Sequence, residues 1–316
     1  MAQSEGVLRV GTRGSDLARW QAAFVMDAIR VLPDSPVVEE VIVKTEGDLI
    51  TDVPLSQVEG KAFFTKEIEE ALLSGEVDLA VHSLKDLATE MPAGLITGAV
   101  IEREDPRDVL ISADGSDLDQ LPSGSSIGTS SLRRRALIAR WRSDLELKEL
   151  RGNVPTRISK VEEGEYDAII LAAAGVKRLG MEDHISAYLP LEKFLPAVSQ
   201  GAMAVQIRSG DEATLNWITH LDHPDTRNAT TAERALLKQL EGGCQVPVGA
   251  LAIIEEDVLN LSATVCSLDG QNTVDWGCTG PVQHAQQLGT ELAEEMLQDG
   301  ADEILEEIRK SAEDGQ

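Results

Sequence analysis

The chain has 316 residues, a formal net charge of −27 at pH 7, 42% hydrophobic residues and 3% aromatic residues. This length favours two or three domains, and the apolar content is sufficient for folded cores, which excludes a globally disordered chain. The acidity argues against a general binder of nucleic acid or of anionic membranes, since both need a cationic surface. The scarcity of aromatic residues argues against stacking on single-stranded nucleic acid.

The N-terminal segment lacks the basic and apolar regions of a secretory signal. The longest apolar stretch, at 168–176, is far shorter than the roughly 20 residues that span a bilayer. We therefore expect the protein to have no membrane partner. We expect its location to be the cytoplasm, or the plastid stroma if a transit peptide has been removed. The cysteines Cys244, Cys266 and Cys278 are odd in number and form no C-x-x-C pair, so neither a disulfide framework nor a metal site is predicted.

The N-terminal third of the chain alternates between strand and helix patterns. Strands are predicted at 8–10, 37–44 and 77–81, and helices at 16–32 and 65–73. This β-α-β-α-β order predicts a parallel sheet that is covered by helices.

The same order recurs in the middle of the chain. Strands are predicted at 126–128, 145–150 and 166–172, with one helix that ends near Trp141 and another at 156–163. After about Asp222 the pattern changes, and a small α+β unit is predicted. It consists of a helix at 231–240, three antiparallel strands at 248–254, 260–266 and 273–279, and two C-terminal helices.

Basic residues are concentrated in the middle of the chain. Residues 128–178 contain eleven of the 28 lysines and arginines and seven acidic residues, so this segment has a net charge of +4. Chance clustering on solvated helix faces accounts for Arg140, Arg142 and Lys160. The remaining cations lie beside Gly, Ser and Thr at junctions between predicted elements, where binding sites are commonly built.

The segment 129–135, with the sequence TSSLRRR, indicates an anion site. Hydroxyl residues cap a helix there, and the free N–H groups and positive dipole of a helix N-terminus attract anions. Arginines in the first turn are unfavourable toward the dipole, so a bound anion would explain their presence. The alternative is a solvated basic turn.

Further cations follow other predicted strands: Arg13 in the loop 11–15, Arg151 and Arg157 around the turn 151–157, and Lys177 with Arg178. Ligands of open α/β sheets bind at the carboxyl ends of the strands. The guanidinium group suits carboxylates and phosphates. The sequence thus predicts one crevice for a small ligand that carries several acidic groups.

The segment His82-Ser83-Leu84-Lys85-Asp86 also follows a strand. Asp86 either forms an ion pair with a neighbouring cation or stabilises a cationic intermediate and moves a proton. We expect His82 to be structural, because no second catalytic group stands beside it in the sequence.

Cys244 lies between two glycines and Pro247, in a loop between a helix and a strand. An exposed loop thiol is reactive when it is deprotonated. No neighbouring histidine forms a Cys-His pair, which favours a covalent attachment point over a hydrolytic nucleophile. We expect Cys266 and Cys278, inside strands, to be packing residues.

Taken together, these segments resemble the hydroxymethylbilane synthase (porphobilinogen deaminase) family. The matching motifs run in order from Gly11 to Ala250: GTRGSDLARWQA, GKAFFTKEIEEALLSGEVDLAVHSLKDL, IGTSSLRRRALI, LRGNVPTRI, YDAIILAAAGVKRLG, PAVSQGAMAVQIR and ERALLKQLEGGCQVPVGA. Asp16 and Ala88 stand where the family often has proline, and Ser199 stands where it often has glycine.

The resemblance implies a transferase that joins four porphobilinogen molecules head to tail, with loss of ammonia, to give the linear tetrapyrrole hydroxymethylbilane. It also implies a dipyrromethane cofactor that primes the chain and is attached to Cys244 through a thioether. Each ring carries two carboxylates, which accounts for the many arginines.

Motif position also implies a role for individual residues. Asp86 resembles the carboxylate that stabilises the cationic pyrrole states and contacts the cofactor. The residues implied to hold the carboxylates of the cofactor are Lys85, Thr129, Ser131, Arg133, Arg134 and Arg157. Those implied on the substrate side are Arg13, Ser15, Arg151 and Arg178, with Phe64 and Gln200 as neighbours in the cleft.

The implied fold is α/β, with two lobes like those of periplasmic binding proteins and a small C-terminal α+β domain. The expected domains are 1–101 with 202–221, then 102–201, then 222–316, the last of which carries the cysteine loop. Residues 102–107 and 200–202 are expected to be hinges, and the protein is expected to be a monomer.

Two other function classes are compatible with parts of the sequence. A non-catalytic two-lobed binder of a polycarboxylate or phosphate would explain the arginines, but it needs neither Cys244 nor the C-terminal domain. A phosphate-transfer enzyme would use the same helix N-termini, but the G-x-x-x-x-G-K-[ST] motif is absent from the sequence.

Overall fold

The computed structural model of the chain describes residues 6–45, 65–240 and 246–314. Within these ranges the chain forms two five-stranded sheets and one three-stranded sheet. The strands are β1 (Val7–Thr12), β2 (Val37–Ile42), β3 (Leu79–Ser83), β4 (Leu95–Ile101), β5 (Asp108–Ser112), β6 (Ser126–Gly128), β7 (Glu146–Lys148), β8 (Ala168–Ala172), β9 (Ala187–Tyr188), β10 (Met203–Arg208), β11 (Val248–Glu255), β12 (Val258–Cys266) and β13 (Thr273–Pro281). The helices are α1 (Asp16–Arg30), α2 (Lys66–Ser74), α3 (Leu132–Trp141), α4 (Val154–Glu162), α5 (Ala173–Arg178), α6 (Glu212–Ile218), α7 (Pro224–Gln239), α8 (Ala285–Met296) and α9 (Asp302–Asp314).

The first sheet has the strand order β2-β1-β3-β10-β4. Strand β1 pairs in parallel with β2 and β3, whereas β10 is antiparallel to both β3 and β4. The apolar stripe of α1, which includes Val25 and Ile29, packs on Val10 and Val81 from the sheet. Ile68 and Leu72 of α2 form a second buried cluster with Ala80 of β3.

The second sheet repeats this plan with the order β7-β6-β8-β5-β9. Strand β6 is parallel to β7 and β8, and β5 is antiparallel to β8 and β9. Helix α3 buries Leu137 and Ile138 against Ile127 and Ile170. Helix α4 buries Ile158 and Val161 in a separate cluster with other strand residues.

The expectation of two parallel sheets is correct for three strands in each sheet and wrong for the remainder. Strands β4, β5, β9 and β10 were not predicted, and every pair that they form is antiparallel. Strand β10 enters the first sheet after the chain has built the whole second sheet, so about 100 residues separate it from its partner β4 along the sequence. Local periodicity does not report the direction of such a distant pair.

The C-terminal part has the predicted α+β composition. Strands β11, β12 and β13 form an antiparallel meander, and α7, α8 and α9 pack on one core with it. Helix α7 begins at Pro224 rather than near residue 231, as the sequence analysis expected. The ring of His223 accepts from the N–H of Thr226 at 3.2 Å. Proline is well suited to the first helical position, and the expected start near residue 231 did not take Pro224 into account.

The described residues form two compact units. One contains 6–45, 65–104 and 202–227, and the other contains 105–201, 228–240 and 246–314. Two of the boundaries between units fall inside the expected hinge segments, at 104/105 and at 201/202. The expected domains 102–201 and 222–316 lie mainly in the second unit. The domain boundaries and the hinges stay predictions.

Candidate functional site

The first unit presents a small cavity at the ends of β1 and β3. These strands are parallel neighbours, so their carboxyl ends meet at the same edge of the sheet. The cavity has a volume of about 70 Å³, and its lining includes Arg13, Ser15, Gln21, His82 and Asp86. The sequence analysis placed Arg13, Ser15 and Asp86 in a site, and the structure brings these three together.

Local hydrogen bonds fix the wall of this cavity that α1 provides. Ser15 is the N-cap of α1, and its Oγ accepts from the N–H of Ala18 at 3.3 Å. The hydroxyl of Thr12 donates to the carbonyl of the same Ala18 at 3.0 Å. Gln21 is buried and donates its Nε2 to Ser83 Oγ at 2.8 Å, which links α1 to β3.

Lys85 and Asp86 lie on a short 3-10 turn, Leu84–Asp86, that directly follows β3. Leu84 and Leu87 on either side are each 2% exposed, so they anchor the turn in the core. The N–H of Leu84 donates to the carbonyl of Ala202, and the N–H of Leu87 donates to the carbonyl of Leu84. Lys85 and Asp86 are half-buried, and Asp86 is thereby held at the cavity.

His82 is 5% exposed and lies in the same cavity wall. Burial lowers the pKa of its imidazole to about 4; the amide of Gln206 opposes this shift, and the positive charge of Arg13 adds to it. The ring is therefore neutral at pH 7.

The second unit holds the predicted anion-binding helix. Strand β6 ends at Gly128, and Ser131 caps α3, with its Oγ accepting from the N–H of Arg134 at 3.4 Å. Thr129 is 2% exposed, and its Oγ1 accepts from the N–H of Ser131 at 3.3 Å. The contact of Ser131 confirms that a hydroxyl residue caps this helix, as the sequence predicted.

The two arginines in the first turn of α3 share one buried carboxylate. Arg133 and Arg134 are 3% and 7% exposed, and Asp108 at the start of β5 is fully buried. Arg133 Nη2 lies 2.8 Å from Asp108 Oδ2, and Arg134 Nη2 lies 2.7 Å from Asp108 Oδ1. Burial raises the pKa of Asp108, but the charges of Arg133 and Arg134 outweigh burial and bring the pKa to about 2. Asp108 is therefore an anion at physiological pH.

This arrangement corrects the argument that the first-turn arginines need a bound anion. Asp108 of the protein itself supplies the negative charge. Arg134 Nε also donates to Asp108 Oδ1 at 3.2 Å, and its Nη1 donates to the carbonyl of Ile170 at 2.8 Å. Arg133 donates Nη1 to the carbonyl of Leu195 at 2.7 Å, while its buried Nε has no hydrogen-bond partner within the described ranges.

Ser199 and Gln200 connect this cluster to Glu233 of α7. Gln200 is fully buried and donates its Nε2 to Asp108 Oδ1 at 3.0 Å and to the carbonyl of Pro106 at 2.8 Å. The N–H of Ser199 donates to Glu233 Oε2 at 2.6 Å, and the other carboxylate oxygen accepts from the N–H of Ala252 at 2.8 Å. The side chain of Gln200 therefore supports Asp108 in the interior, and its expected place beside the cleft stays a prediction.

The remaining predicted cations of the second unit lie on α4 and α5 or just before α4. Arg178, at the end of α5, is 9% exposed and donates Nη2 to the carbonyl of Gly201 at 2.7 Å. Gly152 has φ +120°, a conformation that favours glycine, and its carbonyl accepts from Arg157 Nε at 2.7 Å. The turn thus holds Arg157, and Arg151 and Arg157 are both half-buried.

Two further predictions lie outside the described residues, namely Cys244 and Phe64. The predicted packing role of the other cysteines is confirmed. Cys266 is fully buried in β12 and Cys278 is partly buried in β13, and burial raises the pKa of both thiols, that of Cys266 to about 11.

The sequence analysis did not identify Asp108 or Glu233. Asp108 directly precedes the apolar run 109–111, and Glu233 lies in the amphipathic pattern of α7. An acidic residue next to an apolar run is a signal for a buried carboxylate, but one sequence alone does not pair it with arginines 25 residues away.

The donor set of the second unit fits a polycarboxylate such as a dipyrromethane. Half-buried arginines, a capped helix N-terminus and a buried Arg133 Nε without a partner in the described part of the chain provide cationic and neutral N–H donors. In the first unit, Arg13 and Asp86 place opposite charges in one cavity. The described residues contain no group of three or more His, Cys, Asp or Glu side chains that could hold a metal ion.

Comparison with protein families gives two matches in this chain. Residues 8–216 match the model of the porphobilinogen deaminase, dipyrromethane cofactor binding domain. Residues 228–298 match the model of the porphobilinogen deaminase C-terminal domain.

Curated relatives match over nearly the whole chain. The porphobilinogen deaminase of Geobacter metallireducens is 51% identical over 301 residues, which cover 95% of this chain and 94% of the relative. That of Geobacter sulfurreducens is 50% identical with the same coverage.

Solved structures that match part of this chain include a methionine-binding lipoprotein of Bacillus subtilis, with a TM-score of 0.40 and 12% identity over 68% of this chain and 89% of that chain. A glutathione-import protein of Streptococcus mutans also has a TM-score of 0.40 and 12% identity, over 75% of this chain and 95% of that chain. None of the helices in the described part of the chain has the length and hydropathy that crossing a membrane requires.

Proposed function

The chain belongs to the porphobilinogen deaminase family, and from this premise we propose how its own residues carry out the reaction. The activity is that of a transferase that joins four porphobilinogen molecules, with release of ammonia, into hydroxymethylbilane. The observation that carries the assignment is the match to the family over 95% of the chain at about half identity.

The cofactor of this activity is a dipyrromethane, which the matching domain model names. When bound, it supplies the pyrrole carbon to which the first substrate unit is joined. We propose Cys244 as its attachment point through a thioether, because the thiol follows two glycines in a turn sequence and stands apart from the two packing cysteines.

Cationic and hydroxyl residues are proposed to hold the carboxylates of the cofactor and of the substrate. On the cofactor side, helix N-terminal N–H groups, hydroxyls and guanidiniums provide donors that match carboxylate oxygens. These residues are Lys85, Thr129, Ser131, Arg133, Arg134 and Arg157. The proposed substrate-side residues are Arg13, Ser15, Arg151 and Arg178.

Asp86 is proposed to stabilise the cationic pyrrole states and to accept the proton that leaves when a new bond forms. The anchored turn Leu84–Asp86 supports this role, because it holds the carboxylate at the cavity without reorganisation during the reaction. The chain is further proposed to act as a monomer in the cytoplasm.

The test is the turnover of porphobilinogen by Asp86→Asn, with Asp183→Asn as the matched control. Asp183 is an exposed acid on another 3-10 turn, Glu182–His184. The Asp86 variant is expected to remain folded and to lose at least a hundredfold in kcat, since electrostatic groups of this kind commonly contribute about 10²–10³. The control is expected to retain wild-type turnover. Full activity of Asp86→Asn would remove this residue from the mechanism.

A further inference from the structure

A cluster of buried polar side chains lies on one face of the first sheet, behind the cavity that holds Asp86. His82 on β3 and Gln206 on β10 belong to antiparallel partners in which His82 pairs with Ala204 and Gln206 pairs with Ala80. Side chains two positions apart on a strand share a face, so His82 and Gln206 are diagonal neighbours. Gln206 is fully buried and His82 is 5% exposed.

The hydrogen bonds of Gln206 show that its carbonyl oxygen, and not its amide nitrogen, is the atom that can accept a hydrogen bond from His82. Its Nε2 donates to Glu69 Oε1 at 3.1 Å and contacts Met91 Sδ at 3.3 Å. Glu69 belongs to α2 and is 6% exposed. With the amide nitrogen committed to Glu69, the carbonyl Oε1 of Gln206 remains as the acceptor.

Two buried polar atoms of this cluster lack a hydrogen-bond partner, and one of them could donate a hydrogen bond to the other. His82 Nε2 and Gln206 Oε1 are both buried, and neither has a hydrogen-bond partner among the residues that the structure describes. An unpaired buried polar atom costs roughly 1–3 kcal/mol, so a native protein seldom leaves two of them side by side. An N–H on Nε2 would satisfy both atoms at once.

We propose that His82 is a further catalytic residue, a neutral imidazole whose Nε2–H is directed to Gln206 and whose Nδ1 lone pair accepts a hydrogen bond from an N–H group of porphobilinogen in the Asp86 cavity. This inference rests on the proposed function of that cavity. Glu69 and Gln206 are then positioning residues, because they fix the tautomer of a ring that contacts the substrate.

The charge state of the ring agrees with this role. Burial keeps His82 neutral at pH 7 by lowering its pKa to about 4, as described above. A neutral imidazole has one donor and one acceptor nitrogen, whereas an imidazolium has two donors and no acceptor. The wall of the cavity then includes the carboxylate of Asp86, the guanidinium of Arg13 and the neutral acceptor nitrogen of His82.

Porphobilinogen has two kinds of N–H donor, the pyrrole N–H and the aminomethyl group. If the aminomethyl ammonium is the donor, cleavage of its C–N bond sends the electron pair to nitrogen. The ammonium substituent then leaves as ammonia, and the positive charge stays on the methylene-pyrrole. No proton is transferred to His82 in this step, so the residue acts as an acceptor rather than as a base.

The tautomer can be measured without any activity. Long-range ¹⁵N–¹H correlation spectra of the full chain labelled with ¹⁵N-histidine contain five imidazoles, and the signals missing from His82→Asn identify His82. We expect a neutral ring at pH 7 with the proton on Nε2. A proton on Nδ1, or an imidazolium, would overturn the proposal even if the chain is an active synthase.

Activity then tests the contact with substrate. His82→Asn keeps an acceptor at the position of Nδ1, whereas His82→Leu has a similar volume but no polar atom. We expect His82→Leu to lose about three- to tenfold in kcat/KM if the pyrrole N–H is the donor and about ten- to a hundredfold if the charged aminomethyl group is the donor, and His82→Asn to lose less. Equal kcat/KM for wild type and the folded leucine variant would refute the contact.

The donor is identified with a pyrrole diacid that lacks the aminomethyl group. If the aminomethyl nitrogen is the donor, wild type and His82→Leu bind this compound with equal Kd. If the pyrrole N–H is the donor, the leucine variant binds it about three- to tenfold more weakly. Tighter binding by the leucine variant would contradict both forms of the proposal.

Discussion

The buried carboxylate of Asp108 is expected to contribute strongly to the stability of the second unit. It is fully buried and compensates two guanidiniums that are themselves at most 7% exposed. In Asp108→Asn, Arg133 and Arg134 keep their positive charges but lose the carboxylate that contacts both. Removing one partner of a buried ion pair costs about 3–5 kcal/mol, because an uncompensated charge remains in the interior.

The pKa of Asp108 gives an independent magnitude for the stability that its carboxylate contributes. The fall from 3.8 to about 2 corresponds to about 2 kcal/mol of additional stability for the ionised form in the folded state. This value includes the burial penalty of Asp108 but not the cost of two uncompensated arginines, so it is a lower limit for the variant. We therefore expect Asp108→Asn to lower the free energy of unfolding by about 3 kcal/mol.

The assay is urea unfolding followed by circular dichroism, with Asp275→Asn as the control. Asp275 pairs with Arg140 at 2.7 Å, but these side chains are 47% and 39% exposed. An exposed pair contributes at most about 1 kcal/mol. If Asp108→Asn is no less stable than the control variant, the reasoning about this cluster is refuted.

The contribution of Asp108 to the free energy of unfolding should decrease as the pH is lowered. The pKa of Asp108 is lower in the folded chain than in the unfolded chain, so its contribution is complete above pH 4 and is lost as the pH falls through about 2. The difference in unfolding free energy between wild type and Asp108→Asn should be constant from pH 7 to pH 5. It should shrink only below pH 4, and a difference that already disappears at pH 5 would contradict the depressed pKa.

Three other perturbations test separate parts of the account. Ser199 has φ +64° and is fully buried, so Ser199→Gly should raise the free energy of unfolding by about 1 kcal/mol in urea titrations, and a loss would show that the backbone there is not strained. A Cβ on Gly289 of α8 would overlap the carbonyl oxygen of Ala232, so Gly289→Ala should lower the thermal midpoint by an amount that corresponds to about 1–3 kcal/mol. An unchanged midpoint would refute the close helix contact. Arg133→Leu should be purified without added pyrrole mass while Arg140→Leu on the same helix acquires it, and normal loading of Arg133→Leu would remove Arg133 from the cofactor site.

Local sequence patterns were sufficient for the elements that lead into the two sites. The strand at 126–128 and the helix that ends at Trp141 are found as predicted, and Ser15 and Ser131 are N-caps. Each of these features depends on residues within a few positions of one another. Capping, helical periodicity and short apolar runs are encoded at that range, so one sequence is enough to find them.

Features that depend on distant residues were missed or assigned incompletely. The antiparallel direction of β10 and the burial of Gln200 against Asp108 join parts of the chain that are about 90 or more residues apart. The arginines of α3 were singled out from the sequence because their charge needs compensation, but their internal partner was taken for an external anion. A charge that needs compensation is visible in the sequence, whereas the identity of the group that compensates it is a property of the tertiary structure.

The proposed assembly of tetrapyrroles on a primer at Cys244 is tested by the intact mass of the purified chain, followed by mapping of the modified peptide. We expect additional mass equal to two linked pyrrole units, located on Cys244 and absent from Cys244→Ala. A purified chain that carries no such mass and gains none on incubation with porphobilinogen would show that it has no such primer.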